Sequence, residues 1–264
     1  MNIHFFTLAL LHFAVAHLCQ GLPINSVKKI LGGSDVNIKF IPYMLSVMLN
    51  GEYICCAAII DKHYAVTAAH CVRAAKHPTK EISVRSGSSF LHKGGTIHEV
   101  TRAFVHKDYN NITNDYDIAV IKITPPFDNS TKPVYLVQND AEDTYTKWGL
   151  VCGWGYYIKI NDYIYPALTE VPHCVMIPQI QKEQCYKDYK LRYELTSRMT
   201  CYGFQEGMDD TCKGDSGAAL INKDNILLGV TSWGDGCGEP YSPGVYTDAI
   251  FLQNWIRGKI EKCT

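Results

Sequence analysis

Three residues have types that together could attack and break an acyl bond: a serine, a histidine and an aspartate. The stretch DDTCKGDSGAAL, residues 209–220, holds one serine, Ser216, between Gly214-Asp215 and Gly217. A serine hydroxyl is a weak nucleophile until a neighbouring base takes its proton. By itself the stretch reads as a tight turn, because glycine and aspartate form turns anyway. A base is available in VTAAHC, residues 66–71, where His70 follows a run of apolar and small residues. Alone, it reads as a histidine at the end of a strand. An acid is available in NDYDIAVIKI, residues 114–123, where Asp117 directly precedes a strongly apolar run. A carboxylate there is costly unless hydrogen-bonded; alone it reads as an exposed turn acid. Base, orienting acid and nucleophile occur in the order His70, Asp117, Ser216.

Such residues need rigid elements to bring them together. The chain has 264 residues, 47% hydrophobic and 19% charged, which describes a folded globular protein and excludes a disordered one. A net charge of −1 offers no basic field for nucleic acid and no polybasic run for a membrane surface. Short apolar or alternating runs at 43–49, 57–69, 117–123, 149–155, 225–233 and 244–249 read as strands, separated by Gly, Pro, Asn and Asp. The segment DAIFLQNWIRGKI near the C-terminus has helical spacing, with Asp248 as a candidate N-cap. The pattern predicts an all-β protein with a C-terminal α-helix. ITPPFDNSTKP, residues 123–133, has the composition of a linker between two halves.

The N-terminus differs from the rest. FFTLALLHFAVA, residues 5–16, is shorter than the roughly 20 residues of a membrane span and suits a secretory signal, although the preceding MNIH lacks Lys and Arg. Cleavage after Ala16 or Gly21 fits equally, and a secreted, extracellular protein is expected. Of 11 cysteines, Cys19 lies at the edge of this segment. The other ten are an even number, which in an exported chain points to disulfides, and none has zinc-ligand spacing.

Six motifs fall in order along the chain: TAAHC, DIAVIKI, CGWG, CKGDSG, SWGDGCGE and SPGVY. Together they resemble the chymotrypsin/trypsin family of secreted serine endopeptidases, from Ile30 to about Cys263. The resemblance implies two six-stranded antiparallel β-barrels, one over about 42–133 with His70 and Asp117, one over about 134–247 with Ser216, then a helix over about 248–262. It divides the chain into a signal peptide (1–21), a propeptide (22–29) and a protease domain (30–264). It implies Ser216 as nucleophile, His70 as general base and acid, and Asp117 as the group orienting the imidazole. The N–H groups of Gly214 and Ser216 would form the oxyanion hole.

Further roles follow from the same resemblance. Asp210 would lie at the base of the specificity pocket and select Arg or Lys, with Gly234 and Gly244 on its walls. Ser232, Trp233 and Gly234 would pair with the substrate backbone as an added strand. Cleavage between Lys29 and Ile30 would free an ammonium that inserts beside Asp215 and orders the site, so a zymogen is expected. Disulfides Cys55–Cys71, Cys185–Cys201 and Cys212–Cys237 carry over, the first worth about 3 kcal/mol in the chain-entropy model. Asn111 and Asn129 open glycosylation sequons. Protein or peptide substrates, protein protease inhibitors and a monomeric state are implied, with no cofactor. The loop SGSSFLHKGG lacks the paired acids a calcium site would use, so no metal is expected.

The chain departs from the family pattern at two places. Gly217 is followed by Ala218-Ala219 where the family has glycine and proline, and Cys55 is followed by Cys56-Ala57 where it has two glycines. Cys56, Cys152, Cys174 and Cys263 have no carried-over partner; of their three possible pairings, Cys152 with Cys174 is favoured, because the family places them on neighbouring strands. A catalytically silent relative acting as a binding module is the alternative reading, and it rests on Ala218 and Cys56 alone.

Overall fold

The computed structural model describes residues 27–28, 33–137, 147–160, 163–207 and 214–260. Two short strands come first, β1 (Val27–Lys28) and β2 (Ser34–Asp35). The first barrel is built from β3 (Met44–Leu49), β4 (Glu52–Asp61), β5 (Tyr64–Thr67), β6 (Ile82–Ser86), β7 (Thr96–Val105) and β8 (Ala119–Thr124). They close in the order β3-β4-β5-β8-β7-β6, every pair antiparallel. The second barrel uses β9 (Trp148–Ile160), β10 (Tyr163–Ile180), β11 (Met199–Tyr202), β12 (Ala219–Ile221), β13 (Leu227–Trp233) and β14 (Gly244–Asp248). Their order is β9-β12-β13-β14-β11-β10, closed by β9 against β10. The fold is therefore the all-β pair of six-stranded barrels expected from the sequence. The outer strands β1 and β2 add to β9 and β10.

The strands form where side chains alternate or where both faces are covered. β6 alternates buried and half-buried residues, the period-2 pattern of a strand with one face inward. β12 and β14 are buried throughout, because each lies between barrel interior and other chain segments. One hydrophobic cluster runs through both barrels, from Leu45, Ile59 and Ile121 in the first to Val151, Leu220 and Val230 in the second. Packing across that seam fixes the relative position of the two halves, and so of residues carried by different barrels.

Helices sit at the edges. Helix α1 (Ala69–Arg73) follows β5, α2 (Pro78–Glu81) precedes β6, α3 (Lys182–Tyr189) links β10 to β11, and α4 (Gln253–Ile260) ends the described chain. Among the described residues no helix is long and apolar enough to cross a membrane. Two local readings change. The run 57–69 is not one strand: it breaks at 62–63, where the Asp61 carboxylate accepts the His63 N–H at 3.2 Å, and then enters α1. Asp248 does not cap the last helix directly. Its carboxylate accepts the Phe251 N–H at 2.9 Å and so closes the turn before α4.

Candidate active site

His70 sits on α1, a five-residue helix that starts immediately beyond β5. It is not the strand-end residue that its position in the sequence indicates. The Cys55–Cys71 disulfide ties this turn to β4 from the neighbouring position. Asp117 lies just before β8 and is completely buried. Its carboxylate accepts the His70 backbone N–H at 2.9 Å, contacts the His70 Nδ1 at 2.7 Å, and accepts the Ser232 hydroxyl at 2.6 Å. Three donors offset the cost of burying this group. The Asp117 carbonyl accepts from the Thr247 hydroxyl at 2.8 Å. Ser232 and Thr247 belong to β13 and β14, so the second barrel fixes an acid carried by the first.

That geometry sets the histidine tautomer. An ionised carboxylate only accepts, so the proton of a neutral imidazole lies on Nδ1. The Nε2 lone pair is then available to take a proton from another group, which is what a general base requires.

The segment leading to Asp117 is held from behind. The Asp115 carboxylate accepts from Thr196 Oγ1 at 2.7 Å and from Arg198 Nε at 3.1 Å, with a further contact to Arg198 Nη2. Burial alone would raise the Asp115 pKa, but the Arg198 and Thr196 hydrogen bonds outweigh it and hold the carboxyl below its usual range. Tyr116 is stacked on His106 at 4.4 Å, with the Arg198 guanidinium 4.9 Å from its ring centre.

Ser216 is positioned by backbone contacts. Its carbonyl accepts the Cys56 N–H at 2.7 Å, and the Gly217 N–H donates to the Thr231 carbonyl at 2.8 Å. Gly217 has φ +81°, and a Cβ there would lie 2.3 Å from both the Cys56 carbonyl and Thr67 Oγ1. Only glycine lets the serine loop approach the turn between β5 and α1 this closely. The loop bearing Ser216 thus packs on the segment leading to His70, while His70 and Asp117 are in direct contact. Gly214 has φ +103°, and its carbonyl accepts from the Tyr53 hydroxyl. Asp215 is fully buried and accepts the Gly155 N–H at 2.9 Å.

The other predicted site residues divide into two groups. Trp233 packs its indole edge-on against Tyr189 at 5.1 Å, and Gly234 has open space around it, its nearest neighbour 3.8 Å from where a Cβ would be. Gly244 is buried at the start of β14, and Asn111 and Asn129 are exposed. Lys29, Ile30, Asp210 and Cys212 lie outside the described residues. Disulfides join Cys55–Cys71, Cys152–Cys174 and Cys185–Cys201, and Cys237 is also disulfide-bonded. Cys56 is a buried thiol. Cys263 lies outside the described residues. Sequence reasoning missed Tyr53, Thr247 and the hydroxyl role of Ser232. Their partners lie more than a hundred residues away along the chain, where no local motif signals them.

Comparison with known proteins decides the family. The trypsin family model matches residues 30–256. The chain belongs to the trypsin family. It is 34% identical over 236 residues to a vitellin-degrading protease of Bombyx mori, covering 89% of this chain and 86% of that one. It is 32% identical over 237 residues to trypsin 5G1 of Aedes aegypti, with coverage of 89% and 86%. A trypsin of Phaedon cochleariae is 32% identical over 267 residues, covering 97% and 98%. Trypsin-family membership makes the chain a serine-protease hydrolase with protein substrates.

Proposed function

We propose that this trypsin-family protease is a secreted endopeptidase, made as a zymogen and activated by cleavage at Lys29-Ile30, that cuts after Arg or Lys. The observation that carries the reading is the buried Asp117 carboxylate with the His70 Nδ1 at 2.7 Å, which leaves Nε2 as the basic nitrogen.

The chemistry runs in two halves. Ser216 Oγ attacks the scissile carbonyl carbon while its proton passes to His70 Nε2. The carbonyl electrons move onto oxygen, where the N–H groups of Gly214 and Ser216 stabilise them. The C–N bond then breaks as His70 gives the proton to the departing amine, leaving an acyl ester on Ser216. Water repeats the sequence with His70 as base, releasing the carboxylic acid and restoring the serine. Asp117 holds the tautomer and stabilises the imidazolium, without itself taking the proton.

Specificity and activation rest on the family's residue pattern. Asp210 supplies an anionic pocket base whose unmet charge penalises neutral side chains. Asp215 accepts the new ammonium of Ile30 once Lys29 is cut. The N-terminal apolar run and the cysteine content support export. To test the reading, the protein is cleaved at Lys29 and assayed on peptides differing only in the residue before the scissile bond. Turnover after Arg and Lys that disappears in Ser216→Ala is expected. Turnover after aromatic residues instead would remove the Asp210 assignment, and no turnover with Ile30 as the confirmed N-terminus would remove the catalytic reading.

A further inference from the structure

β4 does more than carry Cys55. Its register against β3 slips between Val47 and Met48, whose partners are Cys55 and Tyr53, so Ile54 bulges. In a regular strand Tyr53 and Cys56 would point to opposite faces; the bulge lets both reach the loop that precedes Ser216. The Tyr53 hydroxyl donates to the Gly214 carbonyl, and the Cys56 Sγ lies 3.0 Å from that hydroxyl and 3.8 Å from the same carbonyl. Two residues further along the loop, the Ser216 carbonyl takes the Cys56 N–H. The tyrosine ring is itself held, edge-on to Trp154 at 6.0 Å, and the Trp154 indole N–H donates to the Ser89 carbonyl at 2.8 Å.

We propose that Tyr53, backed by Cys56, is a positioning residue for the oxyanion-binding loop. The proposal rests on the catalytic reading above, in which the Gly214 N–H faces the developing negative charge. A glycine at φ +103° has no Cβ to restrict it, so the peptide units on either side of it swing easily. A hydrogen bond to its carbonyl limits that motion before substrate arrives, which is the preorganisation that electrostatic catalysis needs. The arrangement forms a relay: the Cys56 thiol donates to the Tyr53 oxygen, whose own proton is committed to Gly214. Burial first pushes both groups well above their ordinary pKa values, followed by Cys56 and then Asp215 for the phenol and by Asp215 for the thiol, so both remain donors. Cys56, unexplained by the family pattern and by any disulfide, thereby acquires a function.

The test compares wild type with Tyr53→Phe, both cleaved at Lys29 and normalised by active-site titration so that only folded enzyme is counted. The substitution keeps the ring against Trp154 and removes one hydroxyl. The expected result is a kcat about 10-fold lower with KM within about 2-fold, since losing an oxyanion donor outright costs on the order of 10²–10³. A peptide aldehyde adds a second readout. Ser216 Oγ adds to its carbonyl carbon, the serine proton goes to His70, and the aldehyde oxygen becomes the oxyanion. Its affinity should fall in step with kcat, while the matching peptide alcohol binds as before. Cys56→Ala should lose less in the same direction, and Cys56→Ser should recover it. An unchanged kcat and aldehyde affinity in Tyr53→Phe, or a change confined to KM, overturns the proposal. A wild-type enzyme that cleaves nothing overturns the catalytic reading instead, so the two failures are distinguishable.

Discussion

The two sides of the site are held by different means. On the His70–Asp117 side, side chains do the holding: three donors converge on one buried carboxylate, and one of them comes from the opposite barrel. On the Ser216 side, the backbone does it: a carbonyl on the Cys56 N–H, the Gly217 N–H on Thr231, and no room for a Cβ at Gly217. The first side is therefore sensitive to changes of chemistry and the second to changes of volume. A glycine-rich loop approaches closely but has little intrinsic stiffness, so its stiffness comes from what surrounds it.

The largest expected effect tests the chemistry. Asp117→Asn keeps the shape of the acid but presents an amide that can donate, which favours the wrong tautomer of His70. A kcat lower by on the order of 10⁴-fold is expected, a magnitude carried over from other trypsin-family enzymes. Steady-state kinetics on an Arg peptide checks it; a loss below tenfold would show that the carboxylate does not set the tautomer. The volume side is tested by Gly217→Ala. Its methyl group would meet the Cys56 carbonyl and Thr67 Oγ1 at 2.3 Å, so stability should fall by about 3 kcal/mol. Urea unfolding measures that, and an unchanged midpoint would mean that the loop has slack.

How much of this was legible in the sequence follows the same division. Strands with continuous apolar character, such as those beginning at Ala119 and Leu227, were readable because both faces are covered. β7, with four exposed residues among ten, and β10, with three prolines, carry no such signal; pairing with their neighbours makes them strands. The helical state of His70 was not readable, because α1 is five residues long and has no side-chain cap at Ala68. His70, Asp117 and Ser216 stood out through motif context. Tyr53, Ser232 and Thr247 touch the site through contacts that only the closed barrels create.

A smaller effect joins the two sides. Ser232→Ala removes one donor from the Asp117 carboxylate while leaving the His70 contacts. Stability should drop by about 2 kcal/mol, with a modest loss of kcat. If stability falls but kcat does not, Ser232 supports the fold rather than the acid.

The smallest effect concerns pH and lies behind both sides. His98 and His106 have pKa values held below the usual histidine range, in each case first by burial. At His98 burial outweighs the opposing pull of the Pro125 carbonyl, 2.6 Å from Nδ1; Nε2 lies 2.8 Å from the Ser86 hydroxyl. Below about pH 6.5 the unfolded chain protonates these residues while the folded one does not. Their contribution is therefore complete above that pH and declines as pH falls towards the folded values. The Tm should decrease from pH 7 to pH 5, and His106→Gln should flatten the decrease. An equally steep profile in the variant would assign the slope to other groups.

Asp117 is anchored by hydroxyls from β13 and β14 although its own strand belongs to the other barrel. If the chain were divided between β8 and β9 and the halves produced separately, neither fragment would hold a correctly restrained acid. Peptide hydrolysis would return only on reassembly, so turnover would count rejoined molecules. Fusing the fragments to two other proteins would then make the protease a complementation reporter, its signal switched on by the encounter of its carriers.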